Sequence, residues 1–292
     1  MFSIFLLTAL FAYIASLGAF WCGLRRPSSS HNREQPLVSI IVAARNEEAS
    51  LPNLLRDLEQ QTYPYYEAII VDDRSIDTTS RIVNNFAAHS PHIKLLQQRV
   101  VPEGRSPKKS ALQAGIDVSR GELLLLTDAD CRVQPTWVET IVRYFEPDVA
   151  MALGSSELKV DEESSLFERV QTFEFLTLVG LMAASANLKF PFGASGHNIA
   201  FRRRTFDAVG GYTSVMHRIA GDDMLMLQLV RARPDLGRVV YVDDLRARNA
   251  TRPEPTWERF RNQRARWASS GTHHFRGDPL FMIYAVGSLV VN

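Results

Sequence analysis

The 292-residue sequence has little cysteine and no excess of charge of either sign. Its two cysteines are Cys22, in an apolar N-terminal segment, and Cys131, beside an acidic pair. This usage excludes a framework of disulfide bonds and fits a reducing compartment. Lys and Arg total 33 and Asp and Glu total 32, so the formal net charge is +1. Without a positive field, a zinc-finger motif or an RNP-type motif, the sequence indicates no nucleic-acid partner.

The two commonest phosphate-binding glycine motifs are also missing. The sequence contains no G-x-x-x-x-G-K-[ST], and no G-x-G-x-x-G follows the first predicted strand. Internal repeats and low-complexity tracts are absent as well. With 46% hydrophobic residues, the chain is long enough for one large domain or two small ones.

Residues 1–24 contain no charged side chain and are predicted to form a transmembrane anchor. Such a segment is long enough to cross a hydrocarbon core of ~30 Å. Arg25 and Arg26 follow it, which places the rest of the chain on the cytoplasmic side of the cell membrane. A cleaved signal peptide is the alternative, but it normally carries basic residues before its apolar core. The polar residues 25–36 are interpreted as a linker.

Apolar strands alternate with amphipathic helices in the first half of the chain. Strands are predicted at Leu37–Ala44, Ala68–Val71, Ile93–Leu96 and from Leu123 onward. The last begins a run of four leucines without alternation, which is typical of a strand buried on both faces. This order predicts an α/β fold with right-handed crossovers and a parallel sheet.

Acidic residues follow three of these strands. They are Glu47, Asp72 with Asp73, and Asp128 with Asp130. Parallel strands present their carboxyl ends at one edge, where open sheets bind ligands. Carboxylate oxygens one residue apart suit Mg²⁺ or Mn²⁺ on a substrate diphosphate, although an Asp-x-Asp pair can also merely cap the next helix.

Four motifs together resemble the inverting glycosyltransferases of family 2, which have the GT-A fold. They are VSIIVAARNEE at 38–48, IIVDDRSID at 69–77, KKSALQAG at 108–115 and LLLTDAD at 124–130. The resemblance implies a GT-A domain over 37–272 with a mostly parallel central sheet. It divides this domain into a nucleotide-binding half, 37–132, and an acceptor and catalytic half, 133–272.

The resemblance also implies roles for the acids and for a lysine. Asp128 and Asp130 would hold Mg²⁺ or Mn²⁺ on the diphosphate. Residues implied to contact the nucleotide sugar in this half are Glu47, Asp72, Asp73, Lys108 and Asp128.

Two motifs of the second half complete the predicted reaction site. Asp222 and Asp223 open a helix, where capping alone can explain acids. The resemblance instead implies that Asp223 is the catalytic base and that Asp222 assists it. Gly196, His197 and Asn198 lie in a loop implied to contact the acceptor, although its glycines can equally serve a turn.

Gln263, Arg266 and Trp267 match Gln-x-x-Arg-Trp and fall on one helix face at i, i+3 and i+4. The alternative is a basic helix that faces acidic lipid headgroups. In the resembled family the motif marks enzymes that add sugars processively or to lipid-bound acceptors. The resemblance implies that Gln263, Arg266 and Trp267 contact the nucleotide sugar.

Two further apolar segments bear on a membrane partner. Glu163–Leu188 is predicted as a long helix, either in the core or at the membrane interface. Residues 279–292 are too short for a full span and are predicted as an interfacial segment or the start of a second transmembrane helix.

The sequence therefore predicts a metal-dependent inverting glycosyltransferase at the cytoplasmic membrane face. Its donor is a nucleotide-diphosphate sugar, with a UDP-sugar favoured, and its acceptor is a hydroxyl of a lipid or polysaccharide. The alternatives are a nucleotidyltransferase, a non-catalytic sugar-nucleotide-binding subunit of a synthase complex, and a phosphorelay receiver. The receiver is about half this length and needs no anchor.

Overall fold

The computed structural model describes residues 2–26, 28 and 30–269. The predicted apolar segment at 279–292 lies outside these residues. The strands are β1 (Val38–Ala44), β2 (Tyr66–Asp73), β3 (Ile93–Gln98), β4 (Leu123–Leu126), β5 (Val149–Gly154), β6 (Ser156–Leu158), β7 (Ile199–Arg202), β8 (Arg238–Val242) and β9 (Asn249–Thr251). The α-helices are α1 (Phe2–Leu24), α2 (Leu51–Glu59), α3 (Thr79–Ala87), α4 (Pro107–Val118), α5 (Trp137–Arg143), α6 (Leu166–Asn187), α7 (Arg203–Ala208), α8 (Asp222–Arg231) and α9 (Trp257–Ser269).

A seven-stranded sheet organises the chain, in the order β3-β2-β1-β4-β7-β5-β8. β1 pairs in parallel with β2 and β4, and β5 pairs in parallel with β8. β7 runs antiparallel to both of its neighbours, and Ile199 at its start lies opposite Leu126 at the end of β4. The prediction of a mostly parallel central sheet is confirmed. Because β7 is reversed, the loop that precedes it enters at the edge where the parallel strands end.

Both faces of the sheet are covered, which explains the unbroken leucine run of β4. All four leucines of this strand are buried. One face packs on α2, whose leucines at i, i+3, i+4 and i+7 are all buried, and the other packs on α4 through Leu112 and Ile116. Each such leucine contributes about 1.5–3 kcal/mol on burial. The core therefore holds the strand ends rigidly at the carboxyl edge.

The N-terminal segment forms the helix α1, and this helix packs on α6. A Cβ at Gly23 would lie only 2.4 Å from the carbonyl oxygen of Ala184, so the two backbones meet closely there. The Asn187 side chain donates to the carbonyl of Gly23, and Phe20 meets Phe192 edge to face. One side of α1 is thus committed to contact with the domain.

Within residues 2–26, 28 and 30–269, no helix combines the length and the apolarity required for a membrane crossing. The transmembrane anchor predicted at residues 1–24 is therefore not supported.

The α6 helix has one buried face and one exposed apolar face. Phe175 and Val179 are buried against the sheet. The apolar side chains on the opposite side, 57–77% exposed, are Leu166, Val170, Phe173 and Leu176. One side of this helix therefore belongs to the core, and the other is an exposed apolar surface. Its location at a membrane interface stays a prediction.

Candidate active site

Lys108 lies between two acidic residues from distant parts of the chain. Its Nζ is 2.7 Å from Oδ1 of Asp128, just after β4, and 3.1 Å from Oδ2 of Asp222, at the start of α8. Burial alone would lower the pKa of Lys108, but the two carboxylates raise it well above its ordinary value. Likewise burial would raise the pKa of Asp128, yet Lys108 and His197 lower it. The lysine is therefore held as a cation inside a cleft of acids.

Asp223 follows Asp222 at the start of α8, and its carboxylate is held by two backbone N–H groups. The N–H of Gly196 donates to its Oδ2 at 2.8 Å, and that of Met224 donates to its Oδ1 at 2.7 Å. Burial and the neighbouring charge of Asp222 raise the pKa of Asp223 to about 6, against the lowering effects of Lys108 and the two backbone N–H groups. A carboxyl with this pKa is ionised near neutral pH and can still take a proton, which suits a general base.

The backbone around Asp223 allows these close contacts. Gly221 caps α8 in the left-handed region, at a φ of 77°, which favours glycine. A Cβ at Gly196 would lie 3.5 Å from a carboxylate oxygen of both Asp222 and Asp223 and 3.7 Å from Nζ of Lys108. The loop before β7 therefore lies directly against Asp222 and Asp223, the two acids for which the sequence predicts a catalytic role.

The predicted acceptor residues His197 and Asn198 differ in their surroundings. His197 Nε2 is 3.6 Å from Oδ2 of Asp128, so its ring faces the acid cleft. Asn198 is fully buried: its Nδ2 donates to the carbonyls of Ser155 and Ala247, and its Oδ1 accepts from Trp137. The structure thus brings His197 to the site and uses the Asn198 side chain to join the loop to the core.

The strand β9 supports the acidic pair after β4, which the sequence did not predict. The hydroxyl of Thr251 donates to Oδ2 of Asp130 at 3.0 Å. Asn249 donates through Nδ2 to Oγ1 of Thr127 at 2.9 Å and to the carbonyl of His197. The contacts of β9 with Thr127 and Asp130 join residues more than a hundred positions apart, so no local sequence signal identifies them.

Glu47, at the edge of β1, shares the negative field of the Asp pair. Burial, and then the charges of Asp130 and Asp128, raise its pKa, although Ser50 lowers it by donating to the carboxylate. Asp72 accepts from the N–H of Ser75 and from the hydroxyl of Ser80. Asp73 pairs with Arg74 at 2.8 Å and accepts from Gln98.

The predicted Gln-x-x-Arg-Trp segment lies in α9, which packs on α6. Gln263 donates to Glu254 and accepts from Arg264, whose guanidinium also lies 4.1 Å from the ring centre of Trp267. Arg264 pairs in turn with Glu174 of α6 at 2.6 Å. These contacts fix α9 against α6, and Arg266 belongs to the same helix.

The donor set at the carboxyl edge suits a hard divalent cation. Asp128 and Asp130 offer carboxylate oxygens, and their negative charges add to the effect of burial in raising the pKa of Glu47. Among the described residues, no group of three or more His, Cys, Asp or Glu side chains is arranged to hold a metal ion.

The sequence of this chain matches a known protein family. The model for "Glycosyl transferase family 2" matches residues 39–210. The chain is 26% identical over 264 residues to the beta-monoglucosyldiacylglycerol synthase of Trichormus variabilis, which covers 90% of this chain and 54% of that protein. It is 40% identical over 101 residues to a dolichyl-phosphate beta-glucosyltransferase of Trichomonas vaginalis, covering 32% of this chain and 30% of that protein. The chain thus spans about half the length of the synthase that it matches.

A solved structure has a similar fold. The mannosyltransferase of Pyrobaculum calidifontis, in complex with GDP-Man and Mn²⁺, superposes with a TM-score of 0.69 at 18% identity. The match covers 97% of this chain and 84% of that one. It confirms the predicted GT-A-like α/β fold.

Proposed function

The chain belongs to glycosyl transferase family 2, and we propose that it transfers a sugar, with inversion, from a nucleotide-diphosphate donor to a hydroxyl of a lipid or polysaccharide. The observation that carries the proposal is the placement of Asp223. This half-buried carboxyl, whose pKa is raised to about 6, lies beside Lys108 and the acids at the carboxyl edge of the sheet. Family membership as a glycosyltransferase decides against the nucleotidyltransferase, the non-catalytic subunit and the receiver.

The donor occupies the carboxyl edge in this proposal. Glu47, Asp72 and Asp73 face the base and ribose, and Lys108 provides positive charge for the diphosphate. Lys108 now bonds Asp128 and Asp222, so a diphosphate competes with these carboxylates for its ammonium group. A UDP-sugar is favoured among the nucleotide sugars.

Asp128 and Asp130 would hold Mg²⁺ or Mn²⁺, which supplies Lewis-acid neutralisation of the charge on the departing nucleotide. The Mn²⁺ complex of the similar mannosyltransferase supports this assignment. Thr251 orients Asp130 by its hydrogen bond. The chain's own part is to present both carboxylates from one rigid strand end.

Asp223 acts on the acceptor. Its carboxylate takes the proton of the acceptor hydroxyl as that oxygen bonds to the anomeric carbon. The bond from this carbon to the diphosphate oxygen breaks on the opposite side, so an α-linked donor gives a β-linked product. Asp222 keeps Lys108 in place, and Gly196 holds the base by its N–H.

The acceptor side is formed by the loop with Gly196 and His197 and by α9. Asn198 anchors the loop, and Gln263, Arg266 and Trp267 close over the diphosphate. On the basis of this segment, we propose that the chain belongs to the branch of the family that carries the Gln-x-x-Arg-Trp motif. The named lipid substrates of the similar synthase and dolichyl-phosphate transferase favour a lipid acceptor.

The exposed apolar face of α6 supports the proposal that the enzyme acts at a membrane surface. We place the catalytic domain on the cytoplasmic side of that membrane. Exposed apolar patches of this kind mark interaction sites in proteins and membranes. The basic residues that follow α1, Arg25 and Arg26, suit anionic headgroups.

A donor panel tests the proposed function. Purified protein is mixed with Mn²⁺, with one of several UDP- or GDP-sugars, and with phospholipid vesicles. The vesicles contain diacylglycerol or polyprenyl phosphate as the acceptor. Release of nucleotide is measured together with sedimentation of the protein. We expect one donor to give acceptor-dependent release, and the protein to sediment with the vesicles. Absence of release with every donor and acceptor would contradict the transferase, and protein left in the supernatant would contradict the membrane surface.

The acidic limb of the pH profile depends on Asp222. Asp223 must be ionised to take a proton, so kcat/KM should fall as the pH drops below about 6. Because the charge of Asp222 helps to raise that pKa, Asp222→Asn should move the limb to lower pH. A pH–rate profile of each enzyme measures this, with Asp235→Asn, at an exposed pair with Arg233, as the control. An unmoved limb in Asp222→Asn would contradict the coupling.

A further inference from the structure

A lysine next to Lys108 is buried and has no part in the mechanism above. Lys109 is 0% exposed, on the side of α4 that packs into the core with Leu112 and Ile116. Its Nζ donates to the carbonyl of Arg218 at 2.6 Å and to that of Ala220 at 2.8 Å. A buried ammonium is costly unless it is fully hydrogen-bonded, so this position has a strong requirement for these two carbonyls.

The two carbonyls belong to residues 216–221, which we call the base loop because it leads directly into Asp222 and Asp223. Ser106 binds the same loop: its hydroxyl donates to the carbonyl of Ile219 at 3.2 Å, and its N–H donates to that of Met216 at 2.7 Å. Three successive carbonyls, 218 to 220, are therefore held by the first turn of α4. The loop itself is exposed at Arg218 and Ile219, so the side toward α4 provides its attachment.

The two consecutive lysines serve different partners. Successive helical residues project about 100° apart, so Lys108 faces Asp128 and Asp222 while Lys109 faces the base loop. The end of α4 is fixed by its Ser106 cap, which accepts from the N–H of Lys109. One rigid helix turn thus sets both the cation of the acid cleft and the backbone that enters α8.

We propose that Lys109 is a positioning residue, which holds the base loop so that Asp223 meets the acceptor hydroxyl in a reactive geometry. The proposal rests on the proposed role of Asp223 as the base. Correct placement of reacting groups is worth large rate factors, and a displacement of about 1 Å can cost ~10²-fold. Loss of the lysine should therefore affect the chemical step more than donor binding.

The test compares Lys109→Met and Lys109→Arg with the wild-type enzyme. In Lys109→Met we expect kcat to fall ~10- to 100-fold with the donor KM changed less than about threefold, and Lys109→Arg to recover part of the loss because it restores charged donors. Limited trypsin digestion should cut faster after Arg218 in Lys109→Met, since the loop has lost its attachment. Lys94→Met, which removes an ion pair with Glu67 at the far edge of the sheet, is the matched control. A kcat near that of wild type, or an equal loss in Lys94→Met, would overturn the proposal.

A milder pair of variants decides the question if Lys109→Met does not fold. Ser106→Ala and Ser165→Ala each remove an N-cap, of α4 and of α6, but only Ser106 binds the base loop. Lower kcat and faster cutting at Arg218 in Ser106→Ala alone support the proposal, and equal behaviour of the two variants overturns it. Cutting at Arg218 does not depend on catalysis. If Asp223→Asn remains active while Lys109→Met loosens the loop, the base assignment fails and the attachment of the loop stands.

Discussion

Replacing Asp223 by Asn is expected to lower kcat for sugar transfer by ~10²- to 10⁴-fold, the range that a positioned general base contributes. An amide has nearly the shape of a carboxylate, but it cannot take the proton of the acceptor hydroxyl. Donor affinity should remain within about threefold, because Asp223 is proposed to act on the acceptor hydroxyl and not to contact the nucleotide.

The measurement is transfer of labelled sugar under single-turnover conditions, alongside calorimetric binding of the nucleotide. Asp235→Asn is the matched control, because its carboxylate lies just beyond α8 in an exposed pair with Arg233. Near-normal transfer by Asp223→Asn would remove this residue from the chemistry.

Replacing Asp130 by Asn, or chelating divalent cations, is expected to have the second largest effect. Loss of cation stabilisation on the leaving diphosphate amounts to several kcal/mol, and each 1.36 kcal/mol is tenfold, so kcat/KM should fall by at least ~10². Added Mg²⁺ or Mn²⁺ should restore the chelated wild-type enzyme but not the variant.

Binding supplies a second readout for this prediction. Mn²⁺ with nucleotide should raise the melting temperature of the wild-type enzyme and not that of Asp130→Asn, because only a folded site that binds a ligand is stabilised by it. Asp117→Asn is the control, as this acid accepts from Gln113 on an exposed face of α4. Full activity after chelation would contradict the metal role of the Asp pair.

The first half of the fold could be predicted because its signals are local. The leucines of α2 recur with helical spacing, and the strand at Val38–Ala44 is apolar except for Ser39. Boundaries were less certain. Asp77 is a residue type that favours a helix cap just before α3, yet Thr78 is the cap residue, and Asp77 instead accepts from the N–H groups of Thr79 and Glu48. A polar turn offers several equivalent acceptors, and tertiary contacts choose among them.

The direction of β7 could not be predicted. Its four residues, Ile199–Arg202, carry no signal for orientation, because an apolar run reads the same in a parallel or an antiparallel pair. The transmembrane anchor predicted at residues 1–24 is not supported by the described residues. Composition identified an apolar helix, but composition does not report that Gly23 and Phe20 contact the domain.

At the site, the sequence predicted which acids follow strands, and the structure brings Asp128 and Asp222 together on Lys108. The residues that support them were missed. Thr251 contacts Asp130 across 121 positions, which no spacing rule covers. Lys109 did leave a signal, since a lysine in register with Leu112 on an apolar helix face is out of place unless it is buried with partners.

The antiparallel direction of β7 bears on how the substrate preferences of such an enzyme can evolve. Apart from the residues of α9, those proposed for the donor come from the chain before β5, whereas the base and the acceptor loop come from the chain after it. The two groups meet where β4 pairs with β7, through backbone hydrogen bonds that do not depend on side-chain identity. Recombination between related genes at this junction would exchange one substrate preference and keep the other. Related enzymes built on the same sheet could in this way differ in their acceptors while they share a donor.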